Sequence, residues 1–154
     1  MKIRLVCVGK PRDRELARLH DRFAERVERL GVSYETASVP EVQTTGRFSE
    51  DHVREREARS LAGSHDGRGT LIGLDRGGEL LTTAQLAQRL ENWATPRATL
   101  WIGGPLGLHA SALERCRPVW SLSPLTFTHE IARLLVAEQI YRALTVLRGV
   151  PYHK

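Results

Sequence analysis

The 154-residue chain has two cysteines, one methionine and three each of tryptophan, tyrosine and phenylalanine. Cys7 sits in an apolar run and Cys116 in a helical segment, and a pair so placed does not suggest a disulfide scaffold. No stretch approaches the roughly 20 consecutive apolar residues that cross a bilayer, so no membrane partner is expected. The start, "MKIRLVCVG", lacks a small-residue cleavage site and reads as a first strand, which points to the cytoplasm. The six histidines are scattered, and there is neither an HExxH nor a CxxC pattern, so no metal is expected. Internal repeats, low-complexity tracts and linkers are also missing. The length suits one domain over residues 1–154.

What is present is an ordinary globular balance, 41% hydrophobic and 27% charged, with a net charge of +5. An excess of cations favours a polyanionic partner, although charge alone does not name it.

Strand and helix periods alternate along the chain. Residues 3–9 read as a strand. Leu16, Leu19, Phe23, Val27 and Leu30 then recur at helical spacing, with Gly31 as a stop. Alternation over residues 32–39 predicts a strand ending at Pro40. After a polar loop, residues 50–63 form a charged helix with only Val53, Ala58, Leu61 and Ala62 to bury. "TLIGLD" is a strand closed by the turn "RGG". Thr82 and Gln85 fit a capping box for a helix that buries Leu86, Leu90 and Trp93. "ATLWI" is the fourth strand, "HASALERC" a short helix and "PVWSLS" the fifth strand. A last helix runs from about Thr128 to Arg148 and is apolar nearly all round. A surface helix needs one apolar stripe. This one has enough for two, which predicts a partner helix and a homodimer. Alternating strands and helices predict an α/β domain with a mostly parallel sheet and helices on both faces.

The fourth strand runs into "WIGGPLG", at the strand end where α/β sheets hold ligands. The turn is not a G-x-G-x-x-G fingerprint, and no Lys-Ser or Lys-Thr pair follows it as in a phosphate loop. A tight connection needing positive φ explains it equally well. A second loop, "SLSPLTFT", leads into the last helix. It can wrap a small polar molecule at the helix N-terminus, or simply cap the helix through Thr126 or Thr128.

Four further residues have both a functional and a plain reading. His129, beside that loop, can act as base or donor, or be structural. Arg133 falls among Val136, Ile140 and Leu144. Either it reaches a carboxylate or an RNA phosphate, or it snorkels. Tyr152 and His153, near the chain end, either hold a target base by stacking or fray. Glu138 and Arg142 read as an i,i+4 ion pair.

Taken together, "IGLD", "IGGPLGL", "WSLSPLTFTHEIARLLVAEQIYRA" and "PYHK" resemble the RlmH-type family of large-subunit ribosomal RNA methyltransferases, in the SPOUT superfamily. The resemblance spans "IRLVCVGK" to the last residue. It implies S-adenosyl-L-methionine as cofactor, N3 of a pseudouridine in 23S rRNA as target, a homodimer and a trefoil knot. A domain this small, with no separate RNA-binding module, is expected to need the assembled ribosome as partner to build its site. It places Leu74, Gly103, Leu122, Ser123, Pro124, Leu125, Thr126 and Phe127 around the cofactor. Thr128 departs from the family's usual proline, and a threonine still caps a helix. Two other function classes stay open at this level: a non-catalytic RNA-binding module of the same fold, and an α/β enzyme for a small acidic metabolite.

Overall fold

The computed structural model describes residues 1–154 apart from Thr45, Arg47, His153 and Lys154. Ten elements follow in order: β1 (Lys2–Val8), α1 (Arg14–Arg29), β2 (Ser33–Val39), α2 (Glu50–Gly63), β3 (Thr70–Leu80), α3 (Thr83–Trp93), β4 (Ala98–Ile102), α4 (Ala110–Leu113), β5 (Val119–Ser121) and α5 (His129–Leu147). The strands form a five-stranded sheet in the order β2-β1-β4-β3-β5. Every strand pair is parallel.

Residues alternate across a strand, and β1 shows why both faces are covered. Ile3, Leu5 and Cys7 join one core with α1, α3 and α5. Val6 and Val8 join a second core with α2 and α4. All of β4 is buried, as expected for a strand covered on both sides.

Local chemistry sets the helix starts. Asp13, Ser49, Thr82 and Thr128 cap α1, α2, α3 and α5 by accepting backbone N–H bonds. The capping box of Thr82 and Gln85 is present in full.

Two expectations change. The "RGG" segment is not a turn. β3 continues through it to Leu80 and slips register against β5 between Leu74 and Glu79. Gly78 permits this, because a Cβ there would sit 2.8 Å from the backbone of Trp120. In α1, Leu19 faces outward and His20 takes the inner position, its Nε2 3.3 Å from the Tyr34 hydroxyl. In α5, one apolar side, with Ile140 and Leu144 fully buried, packs on α1, α3 and β4, while Ile131 and Val146 on the other side stay exposed.

Cys7 and Cys116 are free and buried on opposite faces of the sheet. Burial pushes both thiols up to about 11.

Candidate active site

The carboxyl ends of β3, β4 and β5 open into one cleft of about 440 Å³. Leu74, Asp75 and Arg76 enter from β3. Residues 102–108 enter from β4 and its glycine turn. Leu122, Ser123, Leu125, Thr126 and Phe127 enter from the loop after β5. These three chain segments are distant in sequence and meet because β3 lies between β4 and β5.

The glycine turn is shaped by close approach. Gly107 N–H donates to the Gly104 carbonyl at 2.9 Å. A Cβ on Gly103 would lie 2.5 Å from the Gly107 backbone, so Gly103 is needed by the turn itself. Positive φ is confined to Gly107 in this turn, at 79°. A Cβ there would meet nothing within 4 Å, so conformation alone selects glycine.

Behind the turn lies Glu57 of α2, 3% exposed. Its Oε1 accepts from Val42 N–H at 3.0 Å, and its buried Oε2 has no partner among the described residues. Burial raises its pKa, Glu41 adds to the rise, and the Val42 bond opposes it. Nothing in the sequence pattern marked Glu57, since a glutamate in a charged helix reads as solvated.

The second loop is tied internally. The Ser121 hydroxyl reaches the carbonyls of Arg76 and Ser123 at 3.2 and 3.0 Å. Leu125 N–H donates to Ser123 Oγ at 3.1 Å. Thr128 accepts from Ile131 N–H at 3.3 Å, so the cap survives the departure from proline.

Of the residues expected around a cofactor, Leu74, Gly103, Leu122, Ser123, Leu125, Thr126 and Phe127 line the cleft, and Pro124 does not. Sequence reading missed Arg54, Asp75 and Arg76, which line it as well. Arg54 donates through Nη2 to Asp51 at 3.0 Å, while its buried Nε has no partner among the described residues.

His129, Arg133 and Tyr152 lie outside the cleft lining, and His153 lies outside the described residues. The Nε2 of His129 is buried without a partner among the described residues. Arg133 is 3% exposed and donates to the Gly9 carbonyl at 2.9 Å, not to a carboxylate. Tyr152 folds back on α5. Its hydroxyl donates to Glu138 Oε1 at 3.2 Å, its ring meets Tyr141 edge-on, and the Arg142 guanidinium lies 4.7 Å from its centre. The Glu138–Arg142 pair forms at 2.7 Å as expected.

The cleft volume is in the range of small-molecule sites. Leucines and Phe127 can flank a flat heterocycle, and the backbone of the glycine turn offers hydrogen bonds at close range. Arg54, with its spare Nε, and Asp75 supply charges of both signs for a zwitterionic end. These residues fit S-adenosylmethionine. Among the described residues, no group of three or more His, Cys, Asp or Glu could hold a metal. Nor, among the described residues, is any helix long and apolar enough to cross a membrane.

A parallel sheet with a built cleft beyond its strand ends defines a cofactor-binding α/β enzyme. A family model described as "Predicted SPOUT methyltransferase" matches residues 1–153. The chain belongs to the SPOUT methyltransferase family, whose members use S-adenosylmethionine as methyl donor. Two curated relatives are each called "Ribosomal RNA large subunit methyltransferase H". The one from Anaeromyxobacter sp. (strain Fw109-5) is 36% identical over 156 residues, covering 100% of both chains. The one from Pseudomonas aeruginosa (strain UCBPP-PA14) is 38% identical over 160 residues, again covering 100% of both. Among solved structures, a probable methylase family protein from Haemophilus influenzae Rd KW20 superposes with a TM-score of 0.56 at 15% identity. TrmJ from Z. mobilis ZM4 superposes with a TM-score of 0.50 at 12% identity. This chain is matched over 96% and 92% of its length but spans only 66% and 69% of those chains, so they share the fold alone.

Proposed function

We propose that the chain is a single catalytic domain over residues 1–154. It transfers a methyl group from S-adenosylmethionine to N3 of a pseudouridine in large-subunit ribosomal RNA, within the assembled ribosome in the cytoplasm. The observation that carries this is the convergence of Leu74, Gly103 and the Leu122–Phe127 loop on one cleft. Full-length relatives named as large-subunit rRNA methyltransferases support the substrate. The net charge of +5 suits an RNA partner. The family's trefoil knot is part of this reading.

When bound, S-adenosylmethionine supplies a methyl group already activated on a sulfonium. The protein then has to align the target nitrogen and receive its proton. Alignment alone is worth up to about 7–11 kcal/mol. The glycine turn and the second loop hold the cofactor. His129, with its unpartnered Nε2 at the start of α5, offers a proton acceptor next to that loop. Arg133 is proposed to serve the transfer by tying α5, beside the cofactor loop, to the Gly9 carbonyl that follows β1. Tyr152 and His153 follow α5, and the tail is proposed to hold the target base in a homodimer. Ile131 and Val146 are the large apolar side chains of α5 that remain exposed, at 38% and 37%, and would meet the partner.

The decisive experiment is calorimetry with S-adenosylmethionine, paired with methylation of ribosomal particles. Tight cofactor binding with methyl transfer is the expected result. RNA binding without cofactor binding would instead identify a non-catalytic module of the same fold.

A further inference from the structure

A second pocket lies at the other end of the sheet from the cofactor cleft. It has a volume of about 480 Å³ and is lined by His65, Gly67, Gly69, Thr70, Leu71, Arg115 and Arg117. It opens where β3 begins, whereas the cleft opens beyond Leu74, where β3 leaves its pairing with β4. Five paired residues at about 3.3 Å each place the two roughly 15 Å apart.

The charges around this pocket do not balance. Arg97 is paired with Asp66 and also donates to the Arg68 carbonyl. Arg4 is paired with Glu35 and donates to the Ser64 carbonyl. Arg115 and Arg117 are exposed and form no ion pair among the described residues. One arm of Arg117 is held by the Cys116 carbonyl at 2.8 Å, which fixes its guanidinium at the pocket wall. Burial lowers the pKa of His65, and Arg97, Arg115 and Arg4 lower it further against the opposing Asp66, so all three guanidinium groups act on this ring. The buried Nδ1 of His65 has no partner among the described residues. Thr70 adds a hydroxyl. Gly67 and Gly69 both hold φ at 76°; the space beside Gly67 is open, whereas the Arg97 carbonyl occupies the place a Cβ on Gly69 would take.

Two guanidinium groups without ion pairs among the described residues, that of Arg117 held at the wall, beside the neutral Thr70 hydroxyl make a site for a tetrahedral oxyanion. We propose that this pocket takes a backbone phosphate of the RNA substrate, flanking the target base held at the cofactor cleft. The proposal rests on the reading of RNA as substrate. RNA would then grip both ends of the sheet, and the pocket would position it without touching the reacting atoms.

The test measures binding of the full chain to large ribosomal subunits over a range of salt concentrations. Wild type is compared with Arg115→Ala/Arg117→Ala and with Arg115→Lys/Arg117→Lys. Each phosphate contact contributes about 0.7–0.9 to the log–log salt slope. The alanine pair is expected to lose about one such contact and weaken binding uniformly across RNA sequences, while S-adenosylmethionine affinity stays unchanged. The lysine pair keeps the slope. An alanine pair with wild-type slope and affinity overturns the proposal. Inorganic phosphate, followed by the NMR signals of the His65 ring, separates the sources. A phosphate-induced shift together with undiminished subunit binding by the alanine pair would make this a free-phosphate site and overturn the RNA assignment. If wild type itself shows no salt-dependent binding to subunits, the rRNA reading fails, and this proposal with it.

Discussion

Arg133 of α5 donates through Nη2 to the carbonyl oxygen of Gly9 at 2.9 Å, joining residues 124 positions apart. The bond anchors the helix that follows the cofactor loop to the strand that starts the chain. Arg133→Met keeps most of the volume and orphans the carbonyl. It is expected to cost about 1–3 kcal/mol in urea unfolding. A positioning role further predicts weaker S-adenosylmethionine binding in the folded variant, whereas an effect on stability alone would make Arg133 structural.

Gly103 and Gly107 should respond differently to alanine. At Gly103 the new Cβ runs into the Gly107 backbone, so the turn must move. Cofactor affinity and stability should fall together. At Gly107 space is open, and only the left-handed conformation resists, at about 1–2 kcal/mol. Paired calorimetry and thermal melts check this. Equal losses of stability in the two variants would contradict the geometry.

Glu57 gives a pH dependence whose sign follows from its raised pKa. The folded state holds the proton more tightly than the unfolded state does. The associated stability is complete below the ordinary value of 4.5 and is lost as pH rises through the folded pKa. Glu57→Gln cannot ionise. Its stability relative to wild type should therefore improve from acidic to neutral pH, as read from urea midpoints. A constant difference across that range would mean that Glu57 does not titrate as described.

The tail offers a fourth test. Tyr152→Ala removes a hydrogen bond to Glu138 and two aromatic contacts, at about 1–2 kcal/mol of stability. Base–aromatic stacking is worth about 1–3 kcal/mol per base. If the tail holds the target base, deleting residues 152–154 should cut methyl transfer about tenfold or more and leave cofactor affinity nearly intact. Full-rate transfer by the truncated chain would remove the tail from the site.

For assembly, charges at Ile140 or Leu144 would simply unfold the subunit, since both are fully buried in it. Ile131→Glu with Val146→Glu targets exposed positions instead. Light scattering is expected to show a dimer for wild type and a monomer for this pair, with circular dichroism unchanged.

The alternating strands and helices were legible because most elements' periods match the face they bury, α1 with its outward Leu19 being an exception. Val53, Leu61, Leu86 and Leu90 are buried as their spacing predicts. The proposed cofactor site rests on family motifs more than on physics, since a glycine turn and a capped loop also have plain readings. Missed features depend on three-dimensional neighbours. Arg54 and Glu57 sit on a helix whose sequence reads as solvated, and only the packing of α2 on β1 and α4 turns them inward. The "RGG" segment looks like a turn because glycines usually make turns, yet here they let β3 pass close against β5. For Arg133 the sequence offered a carboxylate, an RNA phosphate or snorkelling, and a bond to the Gly9 backbone carbonyl, set by the packing of α5 near the end of β1, was not among these readings.

The two buried thiols divide the molecule into two chemically readable halves. Cys7 belongs to the α1, α3 and α5 side of the sheet and Cys116 to the α2 and α4 side. Each is fully shielded and disfavoured as a thiolate, so a maleimide can reach it only during an opening event. Pulsed alkylation with peptide mapping would therefore time the opening of each layer separately, with no engineered label.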